Sequence, residues 1–463
     1  MSVLVAGLFA LTRPVRAQTL GASLPTDATL SQLIRESLAG LPELTRSRAI
    51  VQAEEARISQ AGALPDPMLQ IGVQNDGFTS IEIGRMGTSF VSLMASQTFP
   101  WPGKLRLREE LAGLGASQAK QALARVRLAT EADVRRAYLE LELVRDRLAL
   151  LEQLDAIWQN SLGVARVRYE TGDGAQSDML RAQLERNRIK QRRFALQAEE
   201  QARVQAINRL RARPLAEPIT TTTSIRELPA LATFANRFSV ERALRQSPEL
   251  AAARLGVARA DRSVALVERG YYPDLTVAAG IMLRGQLPPM WLATVGGPLP
   301  VFAASKQNRA AAENQAWAIA ARADASGLEQ VLALRTEERR TAFSALLQMV
   351  DLYDQGLLVQ SQATTASTLS QYKVGRVPFA SVLEANAGLI ADQEGYLQAI
   401  AAAHRILITD AEVSLSPTPM PFGSFGPAAS MPSAGASPME TTVGTPTSPS
   451  GVPPATGGST SGM

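Results

Sequence analysis

Apolar residues return in steps of three and four over one very long stretch of the chain. From Lys104 to about Tyr169 no proline intervenes, and Ala137, Leu141, Val144, Leu148, Leu151, Leu154, Trp158, Leu162, Ala165 and Tyr169 fall along one helix face. Such a narrow seam predicts a rod that packs lengthwise on partner helices, with Arg125, Glu131, Arg135, Glu142, Arg145 and Asp146 mostly on wetter faces. At a rise of 1.5 Å per residue the rod spans roughly 100 Å. It ends in Tyr169-Glu-Thr-Gly172, and a second long segment, from about Lys306, ends in Tyr372-Lys-Val-Gly375.

Shorter segments alternate with a period of two. Leu69, Ile71 and Val73 oppose Gln70, Gly72 and Gln74; Val91, Leu93 and Ala95 oppose Ser92, Ser96 and Thr98; Leu275, Val277, Ile281 and Leu283 oppose Thr276, Gly280 and Arg284. Each reads as a strand with one apolar and one wet face. Helix, two strands, rod and return helix occur twice. Pro65 and Pro273, Pro100 and Pro300, and Tyr169 and Tyr372 each lie about 200 residues apart, so the chain is an internal duplication, with length differences absorbed in the strand-connecting loops.

The expected organisation follows. Residues 1–17 read as a targeting segment, with the apolar run Ser2 to Leu11 and Val15-Arg16-Ala17 before the cut. Residues 18–213 form the first repeat: a helix from Leu30 to Ala63 with Pro42 as a start or kink, strands at 68–75 and 88–99, a long helix at 104–171 and a return helix at 177–211. Residues 214–235 are a linker. Residues 236–413 form the second repeat, with a helix from Phe238 to Arg269, strands at 275–284 and 290–297, a long helix at 304–374 and a return helix at 378–413. From 414 to 463 the composition reduces to Pro, Gly, Ser, Thr, Ala and Met, too polar to bury a core, which predicts a disordered tail.

Composition narrows the function. Of 463 residues 46% are apolar but only 5% aromatic, which suits helical seams better than globular cores. The net charge of +4, with arginines interleaved among carboxylates, fits solvated helix faces rather than a nucleic-acid surface. Cysteine is absent, which excludes disulfides and thiolate metal sites. No metalloprotease motif, phosphate loop, dinucleotide turn or serine triad can be assembled, so neither enzymatic activity nor a cofactor is expected. The sole histidine, His404, reads as a satisfied packing residue. Met420, Met431, Met439 and Met463 are too widely spaced to make a soft-metal site more than accidental composition.

No run reaches the ~18 apolar residues of a membrane helix, so any span is built from strands. Four amphipathic strands leave two open edges, and unpaired backbone groups are not tolerated in hydrocarbon. Several chains must pool their strands: two would give eight, three would give twelve and an open lumen. A soluble coiled-coil scaffold or adaptor, its strands forming a small sheet, is the competing reading.

The duplicated order, the Leu64-Pro-Asp-Pro67 break, Gln97-Thr-Phe-Pro-Trp-Pro-Gly-Lys104 leading into the rod, Pro298-Leu-Pro-Val-Phe302 at the equivalent place and both Tyr-x-x-Gly turns resemble TolC-type outer-membrane efflux proteins. The Pro-Asp-Pro and Phe-Pro-Trp-Pro-Gly-Lys sequences are most similar to the subgroup serving heavy-metal pumps of the resistance-nodulation-division (RND) type. The resemblance implies a mainly α fold with membrane β: an internally duplicated α-helical barrel of long coiled helices, plus four strands per chain in a trimeric twelve-stranded outer-membrane barrel. It implies a passive exit duct for heavy-metal cations or small toxic compounds, working with a periplasmic adaptor and an inner-membrane RND pump. It also implies a closed tip at the turns after the rods, with Gly172, Gly375 and Arg376 in the docking turns. Tyr372 matches the family's tip tyrosine. The family's two constriction aspartates fall on Ser381 and Glu384, and the same count in the first repeat reaches Asp178 and Arg181.

Overall fold

The computed structural model describes residues 27–417 except residue 229. The targeting segment at 1–17, the tail beyond Pro417 and the four tail methionines lie outside the described residues. The first repeat contains α1 (Ala28–Gly40), α2 (Pro42–Gly62), β1 (Met68–Gln74), β2 (Phe90–Phe99), α3 (Lys104–Glu170) and α4 (Gln176–Leu210). The second contains α5 (Val240–Gln246), α6 (Pro248–Glu268), β3 (Leu275–Arg284), β4 (Leu287–Gly296), α7 (Gln307–Leu352), a π turn (Tyr353–Leu357), α8 (Leu358–Lys373) and α9 (Phe379–Ala411).

The strands form one antiparallel sheet in the order β1-β2-β3-β4, so the two repeats meet at the β2–β3 pairing. Register decides what each face carries. Ile71 pairs with Leu93, Leu93 with Ile281 and Ile281 with Trp291, an apolar row that runs across all four strands. The opposite row holds Ser96, Thr276 and Thr98, whose hydroxyl lies 3.0 Å from that of Thr276. A one-residue slip would exchange these faces. β2, β3 and β4 are ten residues each, the length of a tilted membrane strand. β4 starts three residues before the expected 290, because Gly285, at φ +61°, closes a tight turn that pairs Arg284 with Leu287. Pro288 and Pro289 are tolerated there because β4 is an edge strand.

The sheet is fastened to the rods by the Phe-Pro-Trp-Pro-Gly-Lys segment. Gly103 takes φ +89° as the N-cap of α3, which turns the chain from strand to helix. Lys104, 8% exposed, donates to Asp274 Oδ1 at 2.7 Å and to the Tyr272 carbonyl at 2.8 Å, and the Trp101 N–H donates to the same Asp274 oxygen at 2.9 Å. Trp101 and Tyr272 stack at 5.0 Å. A residue of the first repeat thus holds the strand entry of the second.

Three expectations change. The helix foreseen from Phe238 to Arg269 is broken into α5 and α6 at Pro248, which sits in the first turn of α6 while Ser247 accepts from the Leu250 N–H. Pro42 does the same for α2, and the shared Pro-Glu-Leu places Leu44 and Leu250 as fully buried anchors. The second rod is not continuous: the π turn interrupts it before the tip. The segment called a linker is a pinned strap, with Ile219, Ile225, Leu231 and Phe234 buried. The chain also stays packed slightly past the expected tail boundary, since the Ser414 carbonyl accepts from the buried Arg339.

The strap explains a further departure, at Glu142. It was placed on a wetter face but is 3% exposed, because four successive hydroxyls bind α1 and α3 over it. Thr221 accepts from Arg145 at 2.8 Å, Thr222 donates to Asp27 at 2.6 Å, Thr223 donates to Glu142 at 3.0 Å, and Ser224 donates to Asp146 at 2.8 Å. Burial, joined by the charges of Asp27 and Asp146 and opposed by Thr223 and Arg145, pushes the Glu142 carboxyl up to about 8. The folded state therefore favours the protonated acid. Its contribution to stability is full below the ordinary value of 4.5 and is lost as pH rises through about 8. We expect limited proteolysis after Arg226, within the strap, to accelerate between pH 5 and 8.5 in the wild type, and Glu142→Gln to flatten that dependence. An unchanged pH profile in the variant would show that another group governs the strap.

Candidate functional site

The two turns at the ends of the rods are brought together. In the first, Gly172 takes φ +84° and the N–H groups of Asp173 and Gly174 return to the Arg168 carbonyl at 2.9 Å. In the second, Gly375 takes φ +74° and the Arg376 N–H returns to the Gln371 carbonyl at 2.9 Å. Both glycines occupy left-handed positions that close a helix economically.

The turn tyrosines have opposite fates. Tyr169 is 45% exposed, whereas Tyr372 is 1% exposed and packs on Phe379 at 5.2 Å between ring centroids. The Tyr372 hydroxyl donates to Asp178 Oδ2 at 3.0 Å, a tie from the second repeat to the first. Burial, then the hydrogen bond and charge of Asp178, push the phenol up to about 12, so it remains a donor at physiological pH. Asp178 is thereby committed to Tyr372 rather than standing as a free carboxylate.

Arg168 was not foreseen. Its guanidinium donates to the Tyr372 carbonyl at 2.7 Å and to the Asp173 carbonyl at 2.8 Å, and lies 4.7 Å from the centre of the Tyr372 ring. A Cβ on Gly375 would come within 3.3 Å of it, so the second turn's glycine serves both φ and this approach. Arg168 adds a charged donor to a carbonyl at the end of α8 that also accepts from the Gly375 N–H, and places a cation over an aromatic face. A signal was present in the sequence: the repeat alignment sets Arg168 opposite Gln371, a charge difference inside otherwise matching Tyr-x-x-Gly turns.

The remaining candidates lie on helix surfaces. Glu384 is exposed on α9, on a ridge between two grooves. One, of about 450 Å³, runs between α8 and α9 and includes Ser381, Thr364 and Thr368. The other, of about 560 Å³, faces α4 and includes Glu185, Arg188 and Arg192. Ser381 is half-buried, and Arg181 and Arg376 are exposed. His404 sits away from the tip in a cavity of about 300 Å³ beneath the strap. It is buried as expected, but its Nε2 has no protein partner, and burial pushes the imidazole down to about 4, so it is neutral.

The chain thus combines a four-stranded sheet that has an apolar row and two open edges with long helical rods that end in a tied pair of turns. Residues 33–213 match the family model described as outer membrane efflux protein. Its fold over most of its length is that of TolC-type channels. It superposes on the outer-membrane channel OprN with 19% identity over 84% of this chain and 90% of that one, at a TM-score of 0.71. It superposes on CusC with 18% identity over 86% and 95% of the two chains, at 0.71, and on VceC from Vibrio cholerae with 18% identity over 84% and 95%, at 0.68. No curated protein matches the chain.

The ties on Tyr372 should govern how firmly the tip stays together. A hydrogen bond to a charged group is worth about 1.5–3 kcal/mol, which is about one to two decades in a closed-to-open ratio. Tyr372→Phe is expected to raise the conductance of the protein in planar bilayers by about tenfold or more, and Arg168→Ala to do likewise, with Arg168→Lys intermediate because an ammonium keeps the charge but not the two-carbonyl reach. Equal conductance in all three and the wild type would mean that these contacts do not hold the tip.

Proposed function

We propose that three copies of the chain close their sheets into one twelve-stranded barrel in the outer membrane and their rods into one periplasmic tunnel, forming the passive exit duct of a tripartite efflux system. The observation that carries this is the four-stranded sheet itself. One face carries the apolar row, the other mixes Gln70, Gln74, Ser92, Ser96, Thr98 and Thr276 with Met94 and Met282, and β1 and β4 each present an unpaired edge. Pairing β4 of one copy with β1 of the next satisfies those edges and leaves none in lipid. Trp291, 80% exposed at the middle of β4, continues the apolar row and does not sit at a strand end, where an interfacial girdle would need it.

At the other end, the turns at Gly172, Gly375 and Arg376 form the face offered to a periplasmic adaptor, through which an RND-type inner-membrane pump delivers cargo. Heavy-metal cations or small toxic compounds are the proposed cargo. The Pro-Asp-Pro and Phe-Pro-Trp-Pro-Gly-Lys motifs support that class. So does Glu384, exposed on α9 and, among the described residues, in no ion pair; three copies about an axis would form a carboxylate ring at the constriction. Ser381, one turn earlier, dilutes the ring relative to a double-aspartate pattern.

Unheated gels of the outer-membrane fraction should show a heat-modifiable trimer, and the purified trimer should conduct in planar bilayers with cation preference. Glu384→Gln should weaken block by divalent cations without altering assembly. A monomer in the soluble fraction, with no conductance, would overturn the duct.

A further inference from the structure

The two rods differ in one place. α3 runs for 67 residues without interruption, whereas between α7 and α8 the backbone makes a π turn, in which the Leu358 N–H returns to the Tyr353 carbonyl. Such a turn takes in one extra residue by widening the hydrogen-bonded ring while the flanking helix keeps its register, and it commonly marks a functional position. The facing helix is shaped to it. A Cβ on Gly395 of α9 would lie 2.4 Å from the Tyr353 hydroxyl oxygen, and Tyr353 meets Tyr396 edge-on at 6.3 Å. Only glycine permits that seat.

Beyond the turn, α8 continues for 16 residues, about 24 Å, to the tip. It packs along α9 and barely touches α3, while α4 packs along the whole lower part of α3. The lower end of α8 is joined to the first repeat by the contacts of Tyr372 with Asp178 and Arg168. The arrangement is a lever with a wide turn at one end and a releasable tie at the other. A rotation of about 10° over that length moves the tip by about 4 Å, more than a hydrogen bond survives.

We propose that Tyr353–Leu357 is the pivot of the tip and that Tyr353, seated on Gly395, is the residue that positions it. When the ties on Tyr372 release, α8 and its turn swing about this point while α3 and α4 stay in place. The proposal rests on the duct reading and extends it by assigning where the movement occurs. Tyr353 acts through α8 and is a positioning residue, remote from the constriction.

The full-length protein in planar bilayers tests it with four forms: wild type, Tyr372→Phe, deletion of Gly356, and both changes together. Removing one residue from the π turn converts it to ordinary helix and stiffens the lever. Tyr372→Phe alone is expected to raise conductance about tenfold, and adding the deletion to return it to within about twofold of wild type. A combined variant that conducts like Tyr372→Phe overturns the pivot and leaves the duct and its latch standing; a Tyr372→Phe protein with unraised conductance overturns the latch and the pivot with it. Assembly is checked by the heat-modifiable band. If the deletion does not assemble, Gly395→Ala and Gly395→Ala with Tyr353→Phe decide the matter. The first unseats Tyr353 and should raise conductance several-fold; the second removes the hydroxyl that a Cβ would strike and should restore it. Absence of restoration overturns the proposal.

Discussion

Backbone amides and carbonyls tolerate no vacancy in hydrocarbon, and in this chain that requirement meets a sheet of only four strands. The apolar row from Ile71 through Leu93 and Ile281 to Trp291 suits lipid, but β1 and β4 each end in a line of unpaired groups. Neither repeat can cover them: the residues of both are already spent on one sheet and two rod systems. In the proposed duct the requirement passes outward to other copies of the chain. It also passes downward, because a barrel wall so built would need each chain to leave the sheet at the same angle. The Lys104–Asp274 pair, with Trp101 and Tyr272 stacked beside it, fixes that angle where strand becomes rod. An ion pair this sheltered contributes little net stability against an apolar substitute, yet losing one partner leaves an uncompensated charge, so its value is in geometry.

Duplication supplies two similar halves, and the tip shows how they diverge. Tyr169 and Tyr372 occupy matching turns, but only Tyr372 is enclosed, by Phe379, Arg168 and Asp178. The first half contributes acceptor and cation; the second contributes the phenol and the aromatic wall. The π turn lies solely in the second half. Rigidity is thus concentrated in the unbroken α3, and the capacity for motion in the α8–α9 pair. Upstream, the consecutive hydroxyls of the strap are fastened to the first half alone, by polar contacts with Asp27 and α3 over the buried Glu142, so that the strap's seat depends on the protonation of that carboxyl as well as on apolar packing.

Periodicity carried most of the architecture. A period of two separates strand faces and a period near 3.5 identifies the rods, so both were legible wherever such patterns ran for several residues. The failures share a cause: they depend on residues distant in sequence. Pro248 was overlooked because the apolar spacing continues across it, although the identical Pro-Glu-Leu at Pro42 marks a helix start. The π turn has no compositional mark, since Tyr353 to Leu357 reads as ordinary helix until Gly395 is seen opposite. Glu142 was placed in water because nothing near it in sequence reveals Thr223. At the tip, counting from the tyrosines pointed to Asp178, which the structure ties to Tyr372, and to Glu384, which lies exposed on α9. Arg168 escaped because its partners, the Tyr372 carbonyl and ring, lie about 200 residues away.

Lys104 to Asp274, β2 to β3, Arg168 to Tyr372 and Tyr372 to Asp178 are all contacts made between the two halves, within the sheet, where it joins the rods, and at the tip. Each of these contacts draws one partner from each half, so a substitution on either side is felt on the other, and the energetic effects of changes in the two halves should not simply add.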